Sequence, residues 1–176
     1  ISPRIELARD MFVFHCLVGC RVGDLFALTR ENIVGDFLEY IPSKNLNKGK
    51  TEVVRVPLCG KALNILAKYE KYSPRIFPLL DEHFYNLAIQ FVLELSGVNR
   101  MVPVLNPLTR QEEMKPLYEV ATSHVARRTF IANIYKHVKD QALVASLTGH
   151  APNSRAFARY RTIDDDMRRE IINLIK

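Results

Sequence analysis

Apolar residues recur three and four positions apart over much of this chain, and the interruptions mark its turns. Ile5, Ala8, Phe12 and Cys16 share one helical face. Ser2-Pro3 ahead of them is a helix start, a capping hydroxyl followed by a proline in the first turn, and Gly19 is a stop. "RVGDLFALTREN" reads as a second helix. The period then shortens. "DFLEYIPSK" (Asp36 to Lys44) and "TEVVRVPL" (Thr51 to Leu58) have strand chemistry, joined by the polar, glycine-containing "NLNKGK", as in a hairpin. Helical spacing returns in "GKALNILAKYEKY", with Ala62, Ile65, Leu66 and Tyr69 on one side, until Pro74 and Pro78 break it. "DEHFYNLAIQFVLELSG" predicts a helix ending at Gly97. "RMVPVLNPLTRQEEMKPLYEVA" has three prolines and no clean period, so loops with at most a short strand are expected. "SHVARRTFIANIYKHV" places Phe130, Ile134 and Val138 four apart on a helix, and "DQALVASLTGH" is a short helix closed by Gly149. "NSRAFARYRTI" and "DDDMRREIINLIK" read as two closing helices, the second with Met167, Ile171, Ile172 and Ile175 on an apolar face. The expected class is α+β, mainly α-helical, with one small antiparallel sheet.

Composition narrows this picture. The 176 residues are 48% hydrophobic, enough for one ordinary domain with a real core. No run approaches the ~18 apolar residues of a membrane span, and no signal peptide is visible. Three cysteines, Cys16, Cys20 and Cys59, lack metal-ligand spacing and read as reduced thiols of a cytoplasmic protein. The net charge of +6 suits an anionic partner, nucleic acid being the commonest. The chain opens abruptly in "ISPRIELARDMF", as a single domain over 1–176 cut from something longer would.

The candidate chemistry lies in four pieces. "GCRVGDLFAL" puts Arg21 among apolar residues, where an arginine needs a partner; Asp24, three positions on, can orient it. "SHVARRTF" sets His124 and Arg127 on one helical face, while Arg128 points elsewhere, toward the surface or DNA-backbone phosphates. "LTGH" ends in His150. Ten residues later Tyr160 lies between Arg159 and Arg161. A core tyrosine needs apolar neighbours; one that attacks a phosphate needs cations. Taken singly, each piece also describes a solvated helix face or a structural ion pair. No glycine-rich phosphate loop or acidic metal cluster accompanies them, so a metal-free scheme on a phosphodiester is the natural one to test.

In that order and spacing, these pieces resemble the catalytic domain of the tyrosine recombinases, the phage-integrase family. The resemblance runs from about Ile5 to Asp165, and Thr129-Phe130 fits the family's continuation after the second arginine. It implies that Arg21 and Arg127 clamp the phosphate and that Asp24 supports Arg21. It makes His124 and His150 phosphate-contacting histidines, His124 being the better placed to take the tyrosine proton, and Tyr160 the nucleophile. The family lysine on a β-hairpin, which protonates the leaving oxygen, falls on Lys44 first, Lys50 second and Lys48 third. Arg155, Arg159 and Arg161, with Arg128, Lys48 and Lys50, are then candidates for DNA-backbone contact. Neighbours on a helix diverge by about 100°, so Arg159 and Arg161 cannot both serve one phosphate. The implied activity is site-specific recombination through a 3′-phosphotyrosine bond, in the manner of a mobile-element integrase. It needs no cofactor and no metal. The implied partners are double-stranded DNA and, for the full-length protein, three further copies in a tetramer on DNA, the fragment alone being monomeric. The implied setting is the cytoplasm, at the bacterial nucleoid. Two competing classes share parts of this pattern: a type IB topoisomerase, with the same covalent chemistry, and a catalytically inactive DNA-binding module.

Overall fold

Helix α1, Pro3–Val18, is the centre around which the other elements pack. A computed structural model describes residues 1–47, 49, 51–138, 140–149 and 172. The Ser2 hydroxyl accepts from the Ile5 amide, and Gly19 closes the helix at φ 65°. Only glycine fits there for two reasons: the backbone is left-handed, and a Cβ would stand 2.1 Å from the Phe130 ring. Leu7, Ala8, Met11, Phe12, Phe14, His15 and Val18 are all buried, so α1 is covered on most of its circumference. It lies against α4 (Gly60–Lys68), α5 (Glu82–Leu95) and α7 (His124–His137). Charged residues share this core, Asp10 on α1 among them. Asp10, 5% exposed, accepts from Lys68 Nζ (3.0 Å), the Tyr69 hydroxyl (3.0 Å) and Arg9 (2.8 and 3.0 Å), tying α1 to α4. Burial pushes its carboxyl pKa up, and these donors overcome that and hold it below 3.8.

The stretch expected as one second helix is shorter. Helix α2 covers only Val22–Ala27, with a 3₁₀ turn at Arg30–Asn32. A three-stranded antiparallel sheet follows, in the order β1 (Ile33–Val34), β2 (Phe37–Tyr40), β3 (Val54–Pro57). Leu38 pairs with Val56 and Tyr40 with Val54, and all four are buried. On the opposite face Arg55 meets Glu39 at 2.7 Å and lies over the Phe37 ring. The strand expected to run to Lys44 therefore stops at Tyr40, the end of β2. Pro42 has no N–H for the ladder, and it opens a helical turn, α3, Ser43–Leu46.

The proline-rich stretch expected as loops is a hairpin, so the described residues contain two sheets and not one. β4 (Met101–Leu105) pairs antiparallel with β5 (Glu112–Pro116), followed by α6 (Leu117–Val120). A two-stranded ribbon has an open edge on each side, and a proline there costs no inter-strand bond. Asn106 builds the turn by accepting from the amides of Leu108 (2.9 Å) and Thr109 (3.2 Å), and Arg110 takes φ 60°. Helix α7 begins where Asn86 on α5 accepts from the Ser123 amide at 2.7 Å. Helix α8, Gln141–Ser146, is capped by Asp140. Apart from Ile172, the two expected closing helices lie outside the described residues. No helix among the described residues is long and apolar enough to cross a membrane, and all three cysteines are unpaired.

Candidate active site

Three separate segments meet at the guanidinium of Arg127. The side chain points inward from α7 and is 2% exposed. Its Nη1 donates to the Gly19 carbonyl and its Nη2 to the Thr148 carbonyl, both at 2.7 Å. Gly19 leads through Cys20 into Arg21; Thr148 leads through Gly149 into His150. The planar fork of arginine suits this work, because it aims two strong donors in fixed directions. Gly149 has φ 64°, and a Cβ on it would come within 2.9 Å of Pro42 and 3.0 Å of Val54. The turn at Gly149 therefore also abuts the turn that carries Lys44.

Arg21 is the residue before the first turn of α2, in extended backbone, and its carbonyl receives the Leu25 amide at 2.8 Å. Its side chain is 28% exposed, with Nη1 3.9 Å from Asp24 Oδ2, an ion pair without a hydrogen bond. Both atoms are buried, and neither has a hydrogen-bond partner among the described residues. A buried N–H without a partner costs free energy, and an arginine donor left over in this way is able to take an anion. Asp24 is 4% exposed, and its Oδ1 accepts from the Ser43 amide at 2.9 Å. One carboxylate thus joins Arg21 to α3. Lys44 follows Ser43 on that turn and is exposed.

His124 opens α7 and shares the face of Arg127. Its ring reaches solvent, yet partial burial, and then the charges of Arg127 and Arg128, hold its pKa below 6.5. Arg128 is exposed and diverges from this cluster. With Arg100, which sequence reasoning passed over, it lines a cleft of about 550 Å³ against Val102 and Val104 of β4. Among the sequence-predicted residues, the structure thus gathers Arg21, Asp24 and Arg127, with His124 on the same helix face as Arg127 and Lys44 on the adjoining turn. Lys48, Lys50, His150, Arg155, Arg159, Tyr160 and Arg161 lie outside the described residues. Among those described, no group of three or more His, Cys, Asp or Glu side chains is placed to hold a metal ion.

His15 is a second residue the sequence did not single out. It is 1% exposed, with Nε2 2.9 Å from the Cys20 carbonyl oxygen and Nδ1 3.5 Å from the Tyr85 hydroxyl. Burial, opposed by the Cys20 hydrogen bond and aided by the charges of Arg127 and His124, lowers its pKa to about 4, so the ring is neutral. The signal was a histidine inside an apolar helical run, which reads as core until its acceptor is seen.

No family model matches the chain, and no curated protein matches it in sequence. Solved structures do. XerA recombinase superposes with a TM-score of 0.63 at 16% identity, over 99% of this chain and 64% of that one. A lambda integrase tetramer bound to a Holliday junction gives 0.63 at 19% identity, over 92% of this chain and 43% of that one. The Tn1549 transposon integrase in complex with transposon right-end DNA gives 0.64 at 12% identity, over 99% and 65%. The fold is that of the tyrosine-recombinase catalytic domain, an α+β architecture. This chain spans 64% of the XerA chain and less than half of the lambda integrase chain.

Proposed function

We propose that this chain is the catalytic domain of a site-specific recombinase that cuts and rejoins DNA through a tyrosine, in the setting of a mobile-element integrase. One observation carries the reading: Arg127 holds the carbonyls of Gly19 and Thr148 together, so the segments bearing Arg21, His124 and the Thr148-Gly149 turn converge beside the turn of Lys44. The fold shared with recombinases and integrases supports it, two of the three being integrases. The partner is double-stranded DNA, and the working assembly is a tetramer on it.

The chemistry follows from charge. A phosphodiester under attack gathers negative charge on its non-bridging oxygens, and fixed donors stabilise it. Nη1 of Arg21, without a hydrogen bond among the described residues, is one such donor, and the buried Arg127 adds positive charge beside it. The Tyr160 hydroxyl attacks phosphorus, forming a P–O bond to tyrosine as the bond to the 5′ oxygen breaks. Its proton goes to a histidine; His124, neutral near pH 7 because its pKa is depressed, can accept one. Lys44 gives a proton to the departing 5′ oxygen. The reverse step, with a 5′ hydroxyl from a partner strand, restores the phosphodiester, and the phosphotyrosine conserves the bond energy throughout.

The test is adduct capture. A pool of nicked duplexes with a randomised central sequence is incubated with the chain, and covalent protein–DNA species are recovered and mapped. The reading expects an adduct at Tyr160, abolished in Tyr160→Phe with DNA retention unchanged. An adduct that survives in Tyr160→Phe would remove Tyr160 from its role. DNA retention without any adduct from the native chain would leave only a binding module, and relaxation of supercoiled plasmid without a preferred site would point to a topoisomerase.

A further inference from the structure

We propose that His15 is the positioning residue for Arg21, an inference that rests on the reading of Arg21 as a phosphate clamp. A carbonyl only accepts, so the short contact to the Cys20 oxygen requires the proton on Nε2, leaving Nδ1 to accept from the Tyr85 hydroxyl. Both groups are in the dry core: Tyr85 is 0% exposed and Cys20 is buried. The ring therefore acts as a fixed strut from α5, through α1, to the peptide between Cys20 and Arg21.

That peptide is one of two leading into Arg21, and the other is held independently. The Gly19 carbonyl belongs to the peptide before Cys20 and receives Arg127 at 2.7 Å. The Cys20 carbonyl belongs to the next and receives His15 at 2.9 Å. The backbone of His15 adds a third tie, since its carbonyl accepts from the Gly19 amide at 2.9 Å. Two successive peptide planes are thus pinned by two buried side chains from different helices. Arg21 needs this, because among the described residues its own guanidinium is weakly restrained, 3.9 Å from Asp24 without a hydrogen bond. Its aim is set mainly by where its Cα sits. An apolar residue at position 15 would fill the core as well and leave the Cys20 oxygen and the Tyr85 hydroxyl without partners.

The experiment compares His15→Leu, which removes the strut, with His15→Gln, whose amide can still donate to Cys20. Adduct formation is followed in single turnover at saturating concentration of a nicked duplex that the native chain has selected from the randomised pool. His15→Leu should slow the step about tenfold or more, the scale on which small misplacements act, with DNA affinity unchanged. His15→Gln should restore most of the rate. Hydrogen exchange at the amides of Cys20, Arg21 and Val22 gives a readout independent of activity: it should quicken in His15→Leu, relative to α1, and return toward native in His15→Gln. Equal exchange in all three proteins, or a His15→Leu rate matching native, overturns the proposal. If the native chain forms no adduct, the recombinase reading fails by itself, and exchange still decides whether His15 holds this turn.

Discussion

Arg127 reaches the turn after α1 from α7, Arg21 lies next to that turn in sequence, and the fold uses the two arginines differently. Arg127 is 2% exposed and donates two 2.7 Å bonds to backbone carbonyls. Arg21 is 28% exposed, stands 3.9 Å from its acid, and keeps a buried N–H without a partner among the described residues. One arginine builds the site and can contribute charge from within it. The other is held by its neighbours, with donor capacity left for an anion. The same division separates the two sides of the site: a buried α1–α7 side fixed by packing, and a more open α2–α3 side fixed by one bridging carboxylate, Asp24.

The strongest way to break this comparison is at the hub's packing. Gly19→Val should unfold the chain or cost several kcal/mol, because it combines a forbidden φ with a clash on Phe130; urea unfolding followed by circular dichroism measures it, the chain having no tryptophan. Arg127→Ala should then cost about 3 kcal/mol, since two buried carbonyls lose their donors. Arg21→Ala should cost less than Arg127→Ala, because it breaks no hydrogen bond among the described residues, while lowering adduct formation about 10²–10³-fold. Equal stability losses for the two arginines would erase the distinction.

Acid separates the two regions further. The depressed pKa of His15 means that folding favours its neutral ring. That contribution is complete above pH 6.5 and is lost as pH falls toward its folded value of about 4, a loss on the order of 3 kcal/mol. Asp10 is also depressed, so its contribution is present above 3.8 and lost only as pH falls through its lower folded value. Urea midpoints between pH 7 and pH 4.5 should therefore drop in the native chain and much less in His15→Gln. Over the same range, adduct formation should decline as pH falls through the pKa of His124, which lies below 6.5, if that ring takes the tyrosine proton. The smallest effect belongs to Arg55→Ala, which removes an exposed ion pair with Glu39 and should change stability by less than about 1 kcal/mol.

What was legible in the chain followed from local signals. Ser2-Pro3 and Gly19 bounded α1 because a cap, a fixed φ and a left-handed stop act within one turn. The i, i+3 spacing put His124 and Arg127 on one face of α7 without reference to anything distant. The misread stretches were those whose outcome depended on distant partners. Residues 101–116 became a hairpin because two irregular segments pair with each other, and neither shows a strand period alone. Residues 41–44 left the expected strand, Ser43 and Lys44 for a helical turn whose first amide is taken by Asp24, nineteen positions earlier.

The sequence by itself determined most helices, their caps and the ordered set of polar residues that resembles a recombinase, because periodicity, capping and residue chemistry are properties of neighbouring positions. Only the tertiary structure decided that Arg127 is a bridge between Gly19 and Thr148, that Asp24 joins Arg21 to the turn of Lys44, and that His15 pins the carbonyl before Arg21. The reason is directional: a buried hydrogen bond depends on where two groups from remote segments point after packing, and no spacing along the chain encodes that angle.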